Sequence, residues 1–184
     1  MKKTDRKKPW ARKKVERISY KIESRSKAKF FLIICEGANT EPSYFKSFPL
    51  GNAEVESYGL GQSKTSLVQF VIENLGPNHI PGNQEIWVVF DMDLNGDRKK
   101  AQREDFDNAI ELAIKNDFRV AYSNDAFEFC RKIYQKLMED DRANQNEAIH
   151  RAKVLLNKQL DLPHSDRNPC TTVFHLVEKL NQYL

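Results

Sequence analysis

Two unbroken apolar runs, each stopped abruptly by carboxylates, constrain the fold of this chain more than any other feature. The first, Lys29-Phe-Phe-Leu-Ile-Ile-Cys35, has charge before it and Glu36-Gly37 after it. The second spans Glu85 to Phe90, with Ile86-Trp-Val-Val-Phe90 at its centre, and ends in Asp91-Met92-Asp93. A strand with one wet face alternates apolar and polar residues, whereas a strand covered on both faces reads as continuous apolar sequence. Both runs therefore predict central strands of a sheet enclosed by helices.

The intervening segments fit that frame. Thr40 is a suitable N-cap and Pro42 suits a first turn, so a helix anchored by Tyr44, Phe45 and Phe48 follows the first strand. A further strand is expected at Ala53 to Tyr58, then Gly59, Gly61 and a helix from about Lys64 to Leu75 with Leu67, Phe70, Val71 and Leu75 on one face. Gly76-Pro77 ends it. A helix near Arg103 to Asn116 and a strand Phe118 to Tyr122 complete a repeated strand-helix pattern, which predicts an α/β fold with a mostly parallel sheet. From Phe127 onward only helical patterning is expected, in two segments around 128 to 160 and a last helix from about Pro169 to Tyr183. Three parts follow: a basic arm over residues 1–28, an α/β core over 29–129 and a helical C-terminal portion over 130–184.

The 184 residues carry 30 Lys+Arg and 26 Asp+Glu, a formal net charge of +4. That total conceals an asymmetry, since the first 29 residues hold 13 basic and 3 acidic side chains, leaving 17 and 23 for the rest. The tail is basic and the body acidic. Such an arm is read either as a solvated tail or as a segment that neutralises nucleic-acid phosphates or docks a partner. No stretch is long and apolar enough for a membrane span and the N-terminus is too polar for a signal peptide, so a soluble, cytoplasmic protein without a membrane partner is expected. Cys35, Cys130 and Cys170 have no C-x-x-C spacing, which indicates neither a disulfide framework nor a thiolate zinc site.

In open parallel sheets, ligands bind beyond the carboxyl ends of the strands, which directs attention to Glu36, Asp91 and Asp93. If the strand conformation persists, Asp91 and Asp93 leave the same face with Cα atoms about 6.6 Å apart. A third carboxylate from a neighbouring strand would make a hard oxygen site suited to Mg²⁺ or Mn²⁺. Simple loop-capping aspartates are the alternative. Asp91 to Asp97 imitates the start of an EF-hand loop, but Gln102 stands where a bidentate Glu is required. A dehalogenase-type phosphatase also opens with D-x-D, yet Asn95 departs from its pattern and Glu36 would have no role. Gly59 to Thr65 lacks the Walker spacing, and Ser63 or Lys64 is expected simply to open the next helix. His79, His150, His164 and His175 lie outside recognisable nucleophile contexts, and His175 is expected as a core or edge residue of the last helix.

The string Phe31-Leu-Ile-Ile-Cys35-Glu36-Gly37-Ala-Asn39-Thr40-Glu41-Pro42-Ser-Tyr44-Phe45 resembles the opening I-x-C-E-G-x-x-T-E-x-x-Y-F of the RloB-like (AbiLii-type) proteins of bacteria and archaea. Further matches follow in order at Val88 to Asp93, Ser123 to Phe129 and Asn168 to Val173. The chain departs from the family pattern at Asp125, where Pro is usual, at Cys130, where an aromatic is usual, and in a shorter interval between Phe129 and Asn168. The resemblance implies a Toprim-like three-layer α/β domain in which Glu36 works in acid/base chemistry and Asp91 and Asp93 hold Mg²⁺. It also implies phage defence by abortive infection, an ATPase partner encoded nearby, and action on RNA, tRNA or DNA.

The expected function is thus metal-dependent phosphodiester cleavage, with Glu36, Asp91 and Asp93 as catalytic residues and metal ligands. Lys64, Arg98, Lys99 and Lys100 would offset the acidic pocket and contact nucleic acid. Asn39, Thr40, Glu41, Asn124 and Glu128 are supporting candidates, with a purely structural role at a strand-to-helix junction the alternative for Asn124 and Glu128. Two competing classes remain: a non-catalytic adaptor that docks the ATPase, and a phosphomonoesterase that would need Asp91 but not Glu36.

Overall fold

The computed structural model describes residues 29–75, 82–92, 99–124 and 144–184. The elements run β1 (Lys29–Cys35), α1 (Thr40–Lys46), β2 (Ala53–Gly59), α2 (Lys64–Leu75), β3 (Gln84–Met92), α3 (Lys99–Lys115), β4 (Arg119–Asn124), α4 (Gln145–Asn157), a 3₁₀ turn (His164–Asp166), β5 (Cys170–Thr171) and α5 (Val173–Asn181). The sheet order is β2-β1-β3-β4-β5. The first four strands are parallel, and the two-residue β5 is antiparallel to β4.

Both apolar runs are interior strands, as their composition dictates. Phe31 to Cys35 are completely buried, with Phe31, Ile33 and Cys35 on one face and Leu32 and Ile34 on the other. The first face packs with Trp87, Val89 and Ala121 against Phe45 of α1 and Leu176, Val177 and Leu180 of α5. The second packs with Val88, Phe90, Met92 and Tyr122 against α2 and α3, where Phe106 stacks edge-on to both Phe90 and Tyr122. Each large apolar side chain removed from water contributes roughly 1.5–3 kcal/mol, so the two cores are what hold helices to both faces. This is a three-layer α/β arrangement with a mostly parallel sheet, consistent with the Toprim-like expectation.

Several boundaries differ from the expectation. Thr40 is the first residue of α1, not its cap; Asn39 holds the cap position without a side-chain cap bond. The third helix begins at Lys99, a turn before Arg103, because Lys, Ala and Gln favour helix without adding to an apolar stripe. The region after Phe127 is not purely helical. Cys170 and Thr171 add a strand to the sheet edge, and the last helix starts at Val173 rather than Pro169. Tyr122 explains this: its N–H donates to Thr172 Oγ1 at 2.9 Å and its carbonyl accepts from Thr172 N at 2.8 Å, so the 170–172 backbone is committed to β4. His175, expected at a core or edge position, is exposed beside the Phe174 ring.

A second set of contacts locks the C-terminal segment to α3 and β4. Asp107 accepts from Ser165 N at 3.0 Å and from Ser165 Oγ at 2.6 Å, and Arg103 pairs with Asp166. The Tyr122 hydroxyl and Arg167 Nη1 converge on His164 Nδ1 at 3.0 and 3.1 Å. Among the described residues no helix is long and apolar enough to cross a membrane.

Candidate active site at the strand ends

Glu36 is held by its backbone before its side chain does anything. Its N–H donates to Val89 O at 2.8 Å, which extends the β1–β3 ladder by one residue, and its carbonyl accepts from Gly61 N at 2.9 Å. Leu60 N donates to Cys35 O at 3.0 Å just before it. The residue therefore cannot drift away from the end of the sheet. Gly59 is required here because the loop after β1 lies on it. A Cβ at Gly59 would run into the Gly37 carbonyl and the Ala38 backbone.

The side chain bridges two neighbouring strand ends. Glu36 Oε1 accepts from Lys64 Nζ at 3.1 Å, and Oε2 accepts from the Asp91 backbone N–H at 3.3 Å. The Lys64 side chain is 12% exposed and that of Glu36 27%. Asp91 lies within β3, opposite Ser123 of β4, and is half-buried. Glu36, just past the end of β1, thus meets the Asp91 backbone near the carboxyl end of the adjacent parallel strand, where the crossover topology leaves room for a ligand.

A third carboxylate approaches from α1. Glu41 is only 8% exposed, packs over the Cα of Gly37, and its Oε2 is buried without a hydrogen-bond partner. Buried polar atoms nearly always have a partner, so this carboxylate oxygen over Gly37, one residue after Glu36, is an exception at the edge of the site. Cys35 lies beneath this cluster. Burial, opposed by a hydrogen bond with Ser57 and reinforced by the charges of Glu41 and Asp91, pushes its thiol up to about 12. It stays protonated at neutral pH, which removes it as a nucleophile.

The donor set is entirely hard oxygen. Mg²⁺ is commonly held by one or two carboxylates, keeping waters and substrate phosphate as its other ligands, so Glu36 and Asp91 fit such an ion. Among the described residues no three acidic, His or Cys side chains converge closely enough to enclose a metal by themselves. Asp93, Arg98 and Glu128 lie outside the described residues.

The remaining candidates are spread around the sheet. Asn39 is exposed and Thr40 half-buried at the start of α1. Lys99 and Lys100 are exposed at the start of α3, where Lys100 makes only a loose, exposed ion pair with Glu104 at 3.9 Å. Asn124 is fully buried and gives its amide to Arg167 O at 2.5 Å and His164 O at 3.4 Å, the structural role expected as its alternative. Its Oδ1 has no partner. Lys64, expected to contact nucleic acid, is paired with Glu36 in the structure. The signal was available: Lys64 opens the helix after β2, and in a parallel sheet that point lies beside the end of β1.

A mostly parallel α/β sheet with Glu36 just after β1 and Asp91 near the carboxyl end of the adjacent β3 defines the class of protein. The model of the family described as RloB-like protein matches residues 31–131, more than half of the chain, and the chain belongs to the RloB-like family. No curated protein and no solved structure gives a significant match.

Proposed function

We propose that this RloB-like chain is a metal-dependent nuclease of a bacterial phage-defence system, acting by abortive infection on RNA, with tRNA included, or on DNA. The observation that carries the reading is the junction of Glu36 and Asp91 across adjacent strand ends, where the resemblance to Toprim-like domains assigns acid/base and metal-holding roles. A bound Mg²⁺ or Mn²⁺ would supply Lewis-acid charge to polarise a phosphodiester and stabilise the leaving oxygen. Asp91 and Glu36 hold the ion in this reading, Asp93 extends the set, and Glu41 lends a further negative charge. Glu36, fixed through its backbone, would ligate the ion or move a proton. The basic arm, Lys99 and Lys100 offset the acidic site for a polyanion. An ATPase encoded nearby is the proposed protein partner.

The test incubates the purified chain with end-labelled total RNA and with plasmid DNA in Mn²⁺, comparing wild type, Glu36→Gln and Asp91→Asn. Cleavage abolished by either substitution and by chelator is the expected result, and the substrate that is cut names the class. A chain that binds metal, cuts neither substrate and co-purifies with an ATPase would instead be an adaptor.

A further inference from the structure

We propose that Lys64 is a resident counter-cation for Glu36, an ammonium that holds the carboxylate in the metal-free protein and that a divalent ion displaces. The inference rests on the reading of Glu36 and Asp91 as metal ligands and assigns Lys64 a part in controlling that site.

Local rules do not favour this lysine where it stands. Lys64 is the first residue of α2, a helix with no acidic residue in its first turn, and the positive end of the helix dipole disfavours a cation there. Long lysine side chains usually carry their charge out to water. Lys64 does the reverse: its side chain is more covered than that of Glu36, and its Nζ sits 3.1 Å from Glu36 Oε1. What holds it inward is the charge of the strand-end carboxylates.

The two partners differ in freedom. Glu36 is pinned by Val89 O and Gly61 N through its backbone and by Asp91 N at Oε2. Lys64 carries its charge on a flexible four-carbon stem. When a second cation competes for Oε1, the lysine is the partner that can leave. Two positive charges on one carboxylate oxygen repel, so metal occupancy and the Lys64 pair exclude one another. The exchange keeps the Glu36 carboxylate paired before metal arrives, and it frees an ammonium beside the site when metal binds.

The test reads metal affinity and lysine accessibility, neither of which requires turnover. In Mn²⁺ titrations followed by electron paramagnetic resonance, Lys64→Met is expected to bind roughly tenfold more tightly than wild type, and Lys64→Arg, which keeps the charge, close to wild type. In the wild-type protein, acylation of Lys64 followed by mass spectrometry is expected to be slow without metal and several-fold faster at saturating Mg²⁺, with Lys99 and Lys100 unchanged as internal references. Unchanged or weaker Mn²⁺ binding in Lys64→Met, with binding still lost in Glu36→Gln, would overturn the counter-cation role and leave the metal reading intact. Lys64 labelling that ignores saturating metal would do the same without any substitution. Absence of Mn²⁺ binding in both wild type and Lys64→Met would overturn both.

Discussion

The backbone N–H of Asp91 donates to the Glu36 carboxylate at 3.3 Å although the two residues lie 55 positions apart in the chain. Parallel pairing of β1 with β3 produces this contact, because the register Cys35↔Val89 brings Glu36 level with Phe90 and one residue short of Asp91. The same pairing makes the site depend on how the chain leaves β1. That dependence is where substitutions far from any reacting atom should act.

Gly59 is the sharpest case. A methyl group there collides with the Gly37 carbonyl and the Ala38 backbone, neither of which yields as a flexible side-chain tip would. Gly59→Ala is expected to cost about 2–3 kcal/mol of stability, in the range of overpacked cores, and to weaken Mn²⁺ binding by shifting the Glu36 loop. Denaturant melts and a metal titration check it. Unchanged stability would mean that the loop does not rest on Gly59.

The clasp around His164 should make stability pH-dependent. Burial first and the Arg167 charge second lower the His164 pKa, partly offset by Asp107 and Glu111. A histidine whose folded pKa lies below its unfolded value near 6.5 contributes stability that is complete above 6.5 and lost as pH falls toward the folded value. Melting temperature should therefore decline below pH 6.5, and less steeply in His164→Gln. His175, exposed but partly desolvated by its neighbours, is also lowered and leaves a residual slope in both proteins. Parallel curves for wild type and variant would remove His164 from the account.

Lys99 and Lys100 are exposed at the start of α3 and are expected to meet phosphates rather than to support the fold. Replacing both with Gln should leave the unfolding free energy within about 0.5 kcal/mol of wild type. It should reduce the slope of log affinity for nucleic acid against log salt by up to about 2. Filter binding across a salt series gives that slope. An unaltered slope would place the phosphate contacts elsewhere.

The strands that carry the site were legible because burial on both faces leaves an unbroken apolar run, as in Phe31 to Cys35. The carboxylates were legible because they end those runs. The strand Cys170–Thr171 was not, since two residues cannot show a period and their pairing is set by Tyr122, some fifty positions earlier. The same holds for Asp107 with Ser165, a contact made by tertiary folding between segments with no local mark. Thr40 has the residue type of a cap, but the helix begins one residue sooner and Asn39, also a favoured cap type, takes that position.

The central claim is that Glu36 and Asp91 form one metal site, and a double-mutant cycle on Mn²⁺ affinity tests it most directly. Wild type, Glu36→Gln, Asp91→Asn and the double variant would be titrated with Mn²⁺ under one set of conditions. The account predicts a loss of at least about tenfold in each single variant and a double-variant loss well short of the product, since ligands of one ion do not act independently. Losses that multiply, or wild-type affinity retained in either single variant, would contradict it.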